Sequence, residues 1–224
     1  MDQGRYAAPG MGRRNFLGTA LAAGTGFWLP LAGRAQGVDS IHELRGDVRV
    51  NGRPIDRAAV IHAGDEIVTT ATGYVVFVVG KDAFMLRERS ELRLDPAPGE
   101  GFVVQGLRLV TGALGAVFGR RSAAGVRILT PTVTAGIRGT GCYMETRGEG
   151  TYFCTCYGTI ELAANANARD REEITATRHN NPRLVLNQPR DGQLFAPASF
   201  ETHTDAEMDM LEKCVGRRAP WITP

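Results

Sequence analysis

The sequence predicts an all-β protein, a multi-stranded antiparallel β-sandwich or β-roll-like domain with a short C-terminal extension that contains one α-helix. From Ser40 to Leu162, short runs of β-branched and aromatic residues are separated by Gly, Asn, Asp and Pro, at intervals of about eight to twelve residues. After Ala164 the composition becomes polar, and a helical pattern follows near 205–215. This order of patterns is typical of a β domain followed by an appendage.

Segments with the composition of strands run through the domain and continue into the extension. Asn51-Gly52 and Gly148-Glu149 are predicted to form two-residue hairpin turns. The run from Tyr74 to Val79 is apolar on both faces, which predicts a strand in the centre of the sheet system. The predicted strands are 40–44, 47–50, 65–69, 74–79, 83–87, 90–94, 103–110, 126–129, 132–137, 141–146, 151–157 and 159–163, with two more near 173–178 and 183–187.

The predicted helix has a recognisable beginning and end. Thr204 and Glu207 have the spacing of a capping box, in which each side chain satisfies a free backbone amide at the helix start. Met208 and Leu211 share the apolar face, and Gly216 is a suitable residue just beyond the last turn.

The N-terminus has the pattern of an export signal. Arg13 and Arg14 precede a Phe-Leu step and an apolar run that three glycines and a proline interrupt, which argues against a membrane span. The pair resembles a twin-arginine signal, and a small-x-small pattern predicts cleavage after Ala35. The mature protein is therefore expected in the periplasm, where disulfides are permitted. The predicted divisions are a signal peptide at 1–35, a β domain at 36–163 and a linker with the extension at 164–224.

Charge and hydropathy restrict the class of partner. The full chain has a formal net charge of +2, and loss of the leader, with four arginines and one aspartate, makes it −1. Its basic residues are scattered rather than clustered, so nucleic acid is not an expected partner. No later stretch is apolar for long enough to span a membrane, and a periplasmic or envelope protein is the expected partner.

The sequence gives little support to catalysis. It contains no nucleophile elbow, no zinc-protease motif, no phosphate loop and no paired carboxylates at a recognisable spacing. We therefore expect a protein that is not an enzyme and that needs no cofactor, with an uncharacterised periplasmic enzyme as an alternative.

Several segments together resemble a FecR-type domain, the exported β module known from regulators of ferric-siderophore signalling. The matching segments are LRGDVRVNG (44–52), AGDEIVTTATGYVVFVVGKDAFMLRERSELRLD (63–95), VVQGLRLVTGAL (103–114), TPTVTAGIRGTGCYME (130–145) and CYGTIEL (156–162). The resemblance covers about 41–163. Full regulators of that family also carry an anti-sigma segment and a membrane span before the FecR domain. At that place this chain has a leader that resembles a twin-arginine signal. The resemblance thus implies a periplasmic binding or scaffolding module, without control of a sigma factor.

A corner of the resembling region combines an arginine with two glycines. Gly139, Thr140 and Gly141 lie between two predicted strands, where glycine allows a bulge or a close approach of the backbone. Arg138 is predicted to build this turn, and a charge-assisted bond to a carboxylate such as Asp65 is the functional alternative.

The four cysteines admit three interpretations. Cys154 and Cys156 share one face of a predicted strand about 7 Å apart, so a bridge between them would be strained. We expect disulfides that pair Cys142 with Cys154 and Cys156 with Cys214, or the reverse assignment, as a clasp on the C-terminal helix. If the turn at 148–149 has two residues, the numbers of facing residues in the two strands add up to an odd sum, which places Cys142 on the face opposite Cys154 and Cys156. A three-residue turn, which Gly148 and Gly150 also permit, would return Cys142 to the same face.

The second interpretation is a metal site, with a metal-binding periplasmic sensor as the corresponding alternative function, and the third is free thiols in the core. The candidate ligands are Cys142, Cys154, Cys156, Cys214, His179 and His203. Twin-arginine export carries folded, cofactor-loaded proteins, which favours a metal site. A flat Cys-x-Cys strand separates its sulfurs too widely for tetrahedral zinc, which counts against one. The two histidines are predicted to be ordinary turn and cap residues.

Overall fold

The fold is described by a computed structural model, which covers residues 40–98, 100–120 and 125–222. The predicted leader, with Arg13, Arg14 and the cleavage position, lies outside these residues. The strands are β1 (Ile41–Arg45), β2 (Val48–Val50), β3 (Arg53–Pro54), β4 (Glu66–Thr69), β5 (Tyr74–Val79), β6 (Asp82–Leu86), β7 (Glu91–Ala97), β8 (Glu100–Thr111), β9 (Ala113–Val117), β10 (Val126–Leu129), β11 (Val133–Ile137), β12 (Gly141–Arg147), β13 (Gly150–Ala164), β14 (Arg171–Ala176), β15 (Arg183–Arg190) and β16 (Gln193–Pro197). One helix, α1 (Asp205–Cys214), follows them.

Two sheets share the long strand β13. Its first half pairs with β12 and β15, and its second half, from Gly158 onward, pairs with β11 and β14. Sheet A contains β1, β5, β6, β9, β12, β15, β16 and the first half of β13. Sheet B contains β2, β3, β4, β7, β8, β10, β11, β14 and the second half of β13. All of these pairings are antiparallel except that of β8 with β10. The all-β prediction with one C-terminal helix is confirmed.

Apolar side chains from both sheets meet in one cluster, the inner core. It includes Val75 and Phe77 from sheet A and Leu92, Leu107 and Ile128 from sheet B, each at most 1% exposed. A sheet that is apolar on one face must bury that face against another layer, so this cluster is what joins the two sheets.

The opposite face of sheet A carries a second cluster, the outer core, and α1 covers it. Tyr74, Val76 and Val78 point into the outer core, whereas their neighbours in β5 point into the inner core. Met208 and Leu211 contribute the apolar face of α1 and are fully buried there. Strand β5 is flanked by β1 and β6 and is buried on both faces, as its continuous apolar sequence predicts.

Local turn and cap chemistry matches the sequence. Asn51 and Gly52 both have positive φ in the β2–β3 turn, and Arg147 pairs with Gly150 across the β12–β13 turn. The predicted capping box at the start of α1 is present. Strands β3, β9 and β16 are absent from the prediction. The Ala-Leu-Gly-Ala-Val run of β9 is small and weak in β propensity, and β3 has only two residues.

Because Gly141 has no side chain, the buried ring of Tyr157 can pack against it. A substitution at Gly141 therefore tests the packing of the corner between β11 and β12. A Cβ on Gly141 would lie 2.3 Å from the Tyr157 ring. We expect Gly141→Ala to lower the free energy of unfolding by about 1 to 3 kcal/mol, because the ring must move. Gly136→Ala is the matched control, since a Cβ there meets nothing within 4 Å. Chemical denaturation measures both, and equal losses would contradict this role of Gly141.

The described residues contain no helix that combines the length and the apolarity needed to cross a bilayer. The only helix among them, α1, has ten residues. A membrane-spanning helix needs about twenty apolar residues.

Candidate metal centre

Cys154 and Cys156 project from β13 into the outer core, and both are fully buried. Their positions in one strand place both side chains on the same face of sheet A. The sulfur atoms are nevertheless within 4.8 Å of each other. The expectation that this strand separates the sulfurs too widely is therefore wrong. The separation of about 7 Å applies to the backbone, and side-chain rotation brings the two sulfurs together.

His179 reaches this pair from the loop after β14. Its backbone N–H donates to the carbonyl of Cys156 at 2.9 Å, which fixes the loop beside β13. Its φ of +50° is unusual for a residue other than glycine. The side chain is 5% exposed, and its Nδ1 lies 3.8 Å from the Cys154 Sγ. A buried histidine held in this conformation is typical of a functional site rather than of an ordinary turn.

His203 reaches the pair from the segment just before α1. It directly precedes Thr204, the N-cap of the helix, and follows Thr202, which has a φ of +68°. Its ring stacks on Tyr143 with the centroids 4.4 Å apart and an interplanar angle of 8°. Its Nε2 lies 3.4 Å from the Cys156 Sγ. The cap position thus places the imidazole over the Cys-x-Cys pair.

The four ligand atoms have the spacing of a tetrahedral site. All lie within 4.8 Å of one another, and His179 Nδ1 is 3.0 Å from His203 Nε2. Around a tetrahedral zinc ion, S–N pairs would be about 3.6 Å apart and N–N pairs about 3.4 Å, as follows from bond lengths of about 2.3 Å and 2.0 to 2.1 Å. The distances from Cys154 Sγ to His179 Nδ1 and from Cys156 Sγ to His203 Nε2, and the N–N distance, agree with these values to within about half an ångström, and the remaining pairs lie within 4.8 Å. The four residues therefore fit a single metal ion.

The outer nitrogen of each imidazole also faces an acceptor. His203 Nδ1 lies 3.0 Å from the backbone carbonyl of Glu201. His179 Nε2 lies 2.9 Å from Asp205 Oδ1, although it is poorly aligned for a hydrogen bond. An acceptor behind the ligating ring fixes the tautomer and the orientation of a metal-binding histidine. This arrangement leaves His179 Nδ1 and His203 Nε2 free to bind an ion.

The pKa values of the Cys154 and Cys156 thiols are shifted in opposite directions. Hydrogen bonding from Cys156, together with His179 and His203, lowers the pKa of the Cys154 thiol to about 4 despite its burial. Burial raises the pKa of Cys156 well above its usual value, and the adjacent Cys154 raises it further. A bound cation would favour the ionised form of both thiols.

The site is closed to solvent. All four side chains are buried, and aromatic rings surround the histidines. Phe200 and Trp221 lie against His179, with ring centroids 4.3 Å and 4.9 Å away. Four protein ligands would complete the shell of a tetrahedral ion and would leave no position for a substrate, which is the pattern of structural rather than catalytic zinc.

Cys142 lies outside this site. It pairs with Thr155 in the β12–β13 ladder, so it points into the inner core. Burial raises the pKa of its thiol. The odd register sum of the two-residue turn is therefore realised, and the proposed pairing of Cys142 with Cys154 or Cys156 is wrong, because the side chains lie on opposite faces of sheet A.

Cys214 is also separate from the site. It lies at the C-terminal end of α1, where it lines a cleft of about 430 Å³ together with His42, Val76 and Met210. All four cysteines are free thiols in the structure, so the disulfide clasp on the helix is absent. What holds α1 near β13 is the outer core and the histidine segment instead.

The glycine corner has a structural role in this fold. A bulge lies between Gly141 and Cys142, and Gly139 has a φ of +62°. Thr140 packs against Gly158, where β13 passes from sheet A to sheet B. The carboxylate of Asp65 binds Asn51 and the backbone of His62 rather than Arg138. Arg138 instead lines an open polar groove on sheet B.

Comparison with known proteins adds little to this geometry. No protein-family model and no curated protein matches the chain. Two crystal structures of a "putative anti-sigma factor" from Parabacteroides distasonis ATCC 8503 match part of it. One has 12% identity and a TM-score of 0.47 over 59% of this chain and 58% of that chain. The other has 10% identity and a TM-score of 0.48 over 66% and 64%. The match thus spans about three fifths of the length of those structures.

Proposed function

We propose that this protein is an exported, non-catalytic β-domain protein that binds one zinc-class metal ion through Cys154, Cys156, His179 and His203. The observation that carries the proposal is the convergence of four buried ligand atoms within 4.8 Å, from three separate parts of the chain. Hydrogen bonding alone gives little reason to gather two thiols and two imidazoles in an apolar layer. A metal ion compensates the cost of burying them.

The donor set favours zinc among the common metals. Two thiolates and two imidazoles in a tetrahedron suit zinc, whereas calcium and magnesium require oxygen ligands. The short separation between the imidazole nitrogens and the sulfurs fits one ion better than a two-iron cluster, whose histidine and cysteine ligands bind different irons. The metal would join β13 to the C-terminal extension.

The location and partner of the protein form a second part of the proposal. The twin-arginine-like leader supports export to the periplasm, and the FecR-like segments support a scaffold that binds an envelope protein. Export in a folded state would allow the ion to bind before the chain meets an oxidising compartment, which would protect the two thiols from oxidation.

Cobalt substitution tests the metal site directly. Titration of the reduced, metal-free protein with Co²⁺ is expected to saturate at one ion per chain. The spectrum should show the strong visible absorption of tetrahedral cobalt and a thiolate-to-metal charge-transfer band. Cys156→Ser should weaken the charge-transfer band, whereas Cys142→Ser should leave it unchanged. A weak octahedral spectrum, or equal effects of the two variants, would overturn the assignment.

Metal affinity is expected to rise with pH above neutrality. The raised pKa of Cys156 means that the metal-free site keeps this proton, and that an ion must displace it. Raising the pH favours the metal-bound state, by about tenfold in affinity per pH unit for one released proton. The ionised Cys154 adds no proton in this range. Competition with a chelator of known affinity measures the slope, and a flat profile would mean that Cys156 is not a ligand.

A further inference from the structure

We propose that metal occupancy controls the docking of helix α1 on sheet A, so that the metal centre is a latch for the C-terminal extension. This inference rests on the proposed function, because it requires that Cys154, Cys156, His179 and His203 bind an ion. It adds that binding of the ion and docking of the helix favour each other. The observation behind it is that both histidine ligands contact the first turn of α1 or directly adjoin it.

The first connection is covalent. His203 immediately precedes Thr204, whose side chain accepts from the backbone N–H of Glu207 and caps the helix. A metal bond to His203 would therefore fix the position of the N-cap relative to β13. Loss of that bond leaves the ring held by its stacking on Tyr143 and by the carbonyl of Glu201.

The second connection passes through Asp205, the first residue of α1. Its Oδ1 faces His179 Nε2 at 2.9 Å, while its Oδ2 binds Arg178. One carboxylate therefore supports a metal ligand and begins the helix. When the ion binds His179 Nδ1, the outer N–H of the ring becomes a stronger donor toward Asp205. Metal binding thus strengthens a contact that only the docked helix makes.

The remaining contacts of α1 are too few to make the ion irrelevant. The Arg87–Glu207 pair is partly buried, with each side chain about one quarter exposed, so desolvation of the two charges offsets part of their attraction. Glu212 bonds to Tyr157 and Arg217 at the far end of the helix. Its carboxylate is desolvated there, which offsets part of what these bonds contribute.

Apolar packing is the main contact besides the metal. Leu211 is fully buried and packs against Gly115 of β9. Its Cδ1 lies 3.5 Å from the point that a Cβ added to Gly115 would occupy. A ten-residue helix is marginal by itself in water, so α1 depends on this packing and on its anchored N-terminus. Without an ion, the four buried ligand atoms of the site would also favour hydration. Undocking of α1 provides that hydration and exposes the outer core.

Thermodynamic reciprocity makes the latch testable from the helix side. If the ion favours docking, docking must favour the ion by the same factor, so a change that lowers the docked population of the metal-free protein lowers its apparent metal affinity in proportion. Leu211→Ala removes apolar contact from the helix and leaves all four proposed ligands in place. Leu92→Ala is the matched control, because Leu92 is equally buried but belongs to the inner core.

The experiment compares zinc affinity, by competition with a chromophoric chelator, in the full chain and in the two variants. We expect Leu211→Ala to weaken binding by tenfold or more and Leu92→Ala to change it by less than twofold. In parallel, hydrogen exchange of the unchanged protein should show residues 205–214 protected with zinc and exchanging much faster without it. This second measurement remains informative if either variant fails to fold.

The outcomes separate the two proposals. If the unchanged protein binds zinc, but Leu211→Ala binds equally well or the helix is equally protected without zinc, the latch is wrong and the metal site stands. If Leu92→Ala weakens binding as much as Leu211→Ala, general destabilisation explains the effect and the latch is again wrong. If the unchanged protein binds no zinc, the proposed function fails, and the latch fails with it.

Discussion

Cys154→Ser is expected to abolish stable zinc binding and to lower the free energy of unfolding of the metal-loaded protein by about 4 kcal/mol, the linkage contribution of a ligand present at about a thousand times its Kd. A serine hydroxyl is not ionised at neutral pH, so the site loses the thiol whose pKa is lowered and, with it, a soft ligand. Thermal unfolding with and without added zinc measures the effect. The variant should no longer respond to zinc.

Cys142→Ser is the matched control for this prediction. Both cysteines are fully buried in neighbouring strands, but Cys142 faces the inner core. Its replacement should cost stability through burial of a hydroxyl and leave the response to zinc intact. If the two serine variants lose stability equally and neither changes the response to zinc, the thiols are only core residues.

Phe77→Ala is expected to lower the free energy of unfolding by about 3 to 5 kcal/mol, which is usual for truncating a buried phenylalanine. The Phe77 side chain is fully buried in the inner core, and its ring stacks on Phe84 with the centroids 5.1 Å apart. Its truncation leaves a cavity between the two sheets that neighbouring strands cannot close, since protein interiors are tightly packed.

Val60→Ala is a suitable surface control, because Val60 is 53% exposed. Its effect should stay within about 0.5 kcal/mol. Urea denaturation of both variants measures the difference. A loss below about 1 kcal/mol for Phe77→Ala would mean that β5 is not flanked and covered as described.

The fold was largely predictable because its determinants are local. The continuous apolar run of β5 predicts a strand covered on both faces, and the Asn51-Gly52 turn and the Thr204 cap are set by the chemistry of a few residues. The passage of β13 from sheet A to sheet B was not predictable. The change of sheet occurs at Gly158, which has a positive φ. A single glycine in the sequence does not indicate which strands pair with β13 after that position.

The candidate metal centre was predictable in its residues but not in its assembly. Cys154, Cys156, His179 and His203 all have the chemistry of ligands, yet their convergence depends on long-range packing. The register of the two-residue turn removes Cys142 from the site, and only the docked α1 brings His203 over β13. Asp205 was missed because a helix cap explains an acidic residue at that position equally well.

Native mass spectrometry of the purified full chain, combined with thiol alkylation, tests the central claim most directly. The account predicts one zinc-class ion per chain, with Cys154 and Cys156 resistant to alkylation until a chelator removes the ion. A metal-free chain in which a chelator does not change the alkylation of these two cysteines, or in which either of them forms a disulfide, would contradict it.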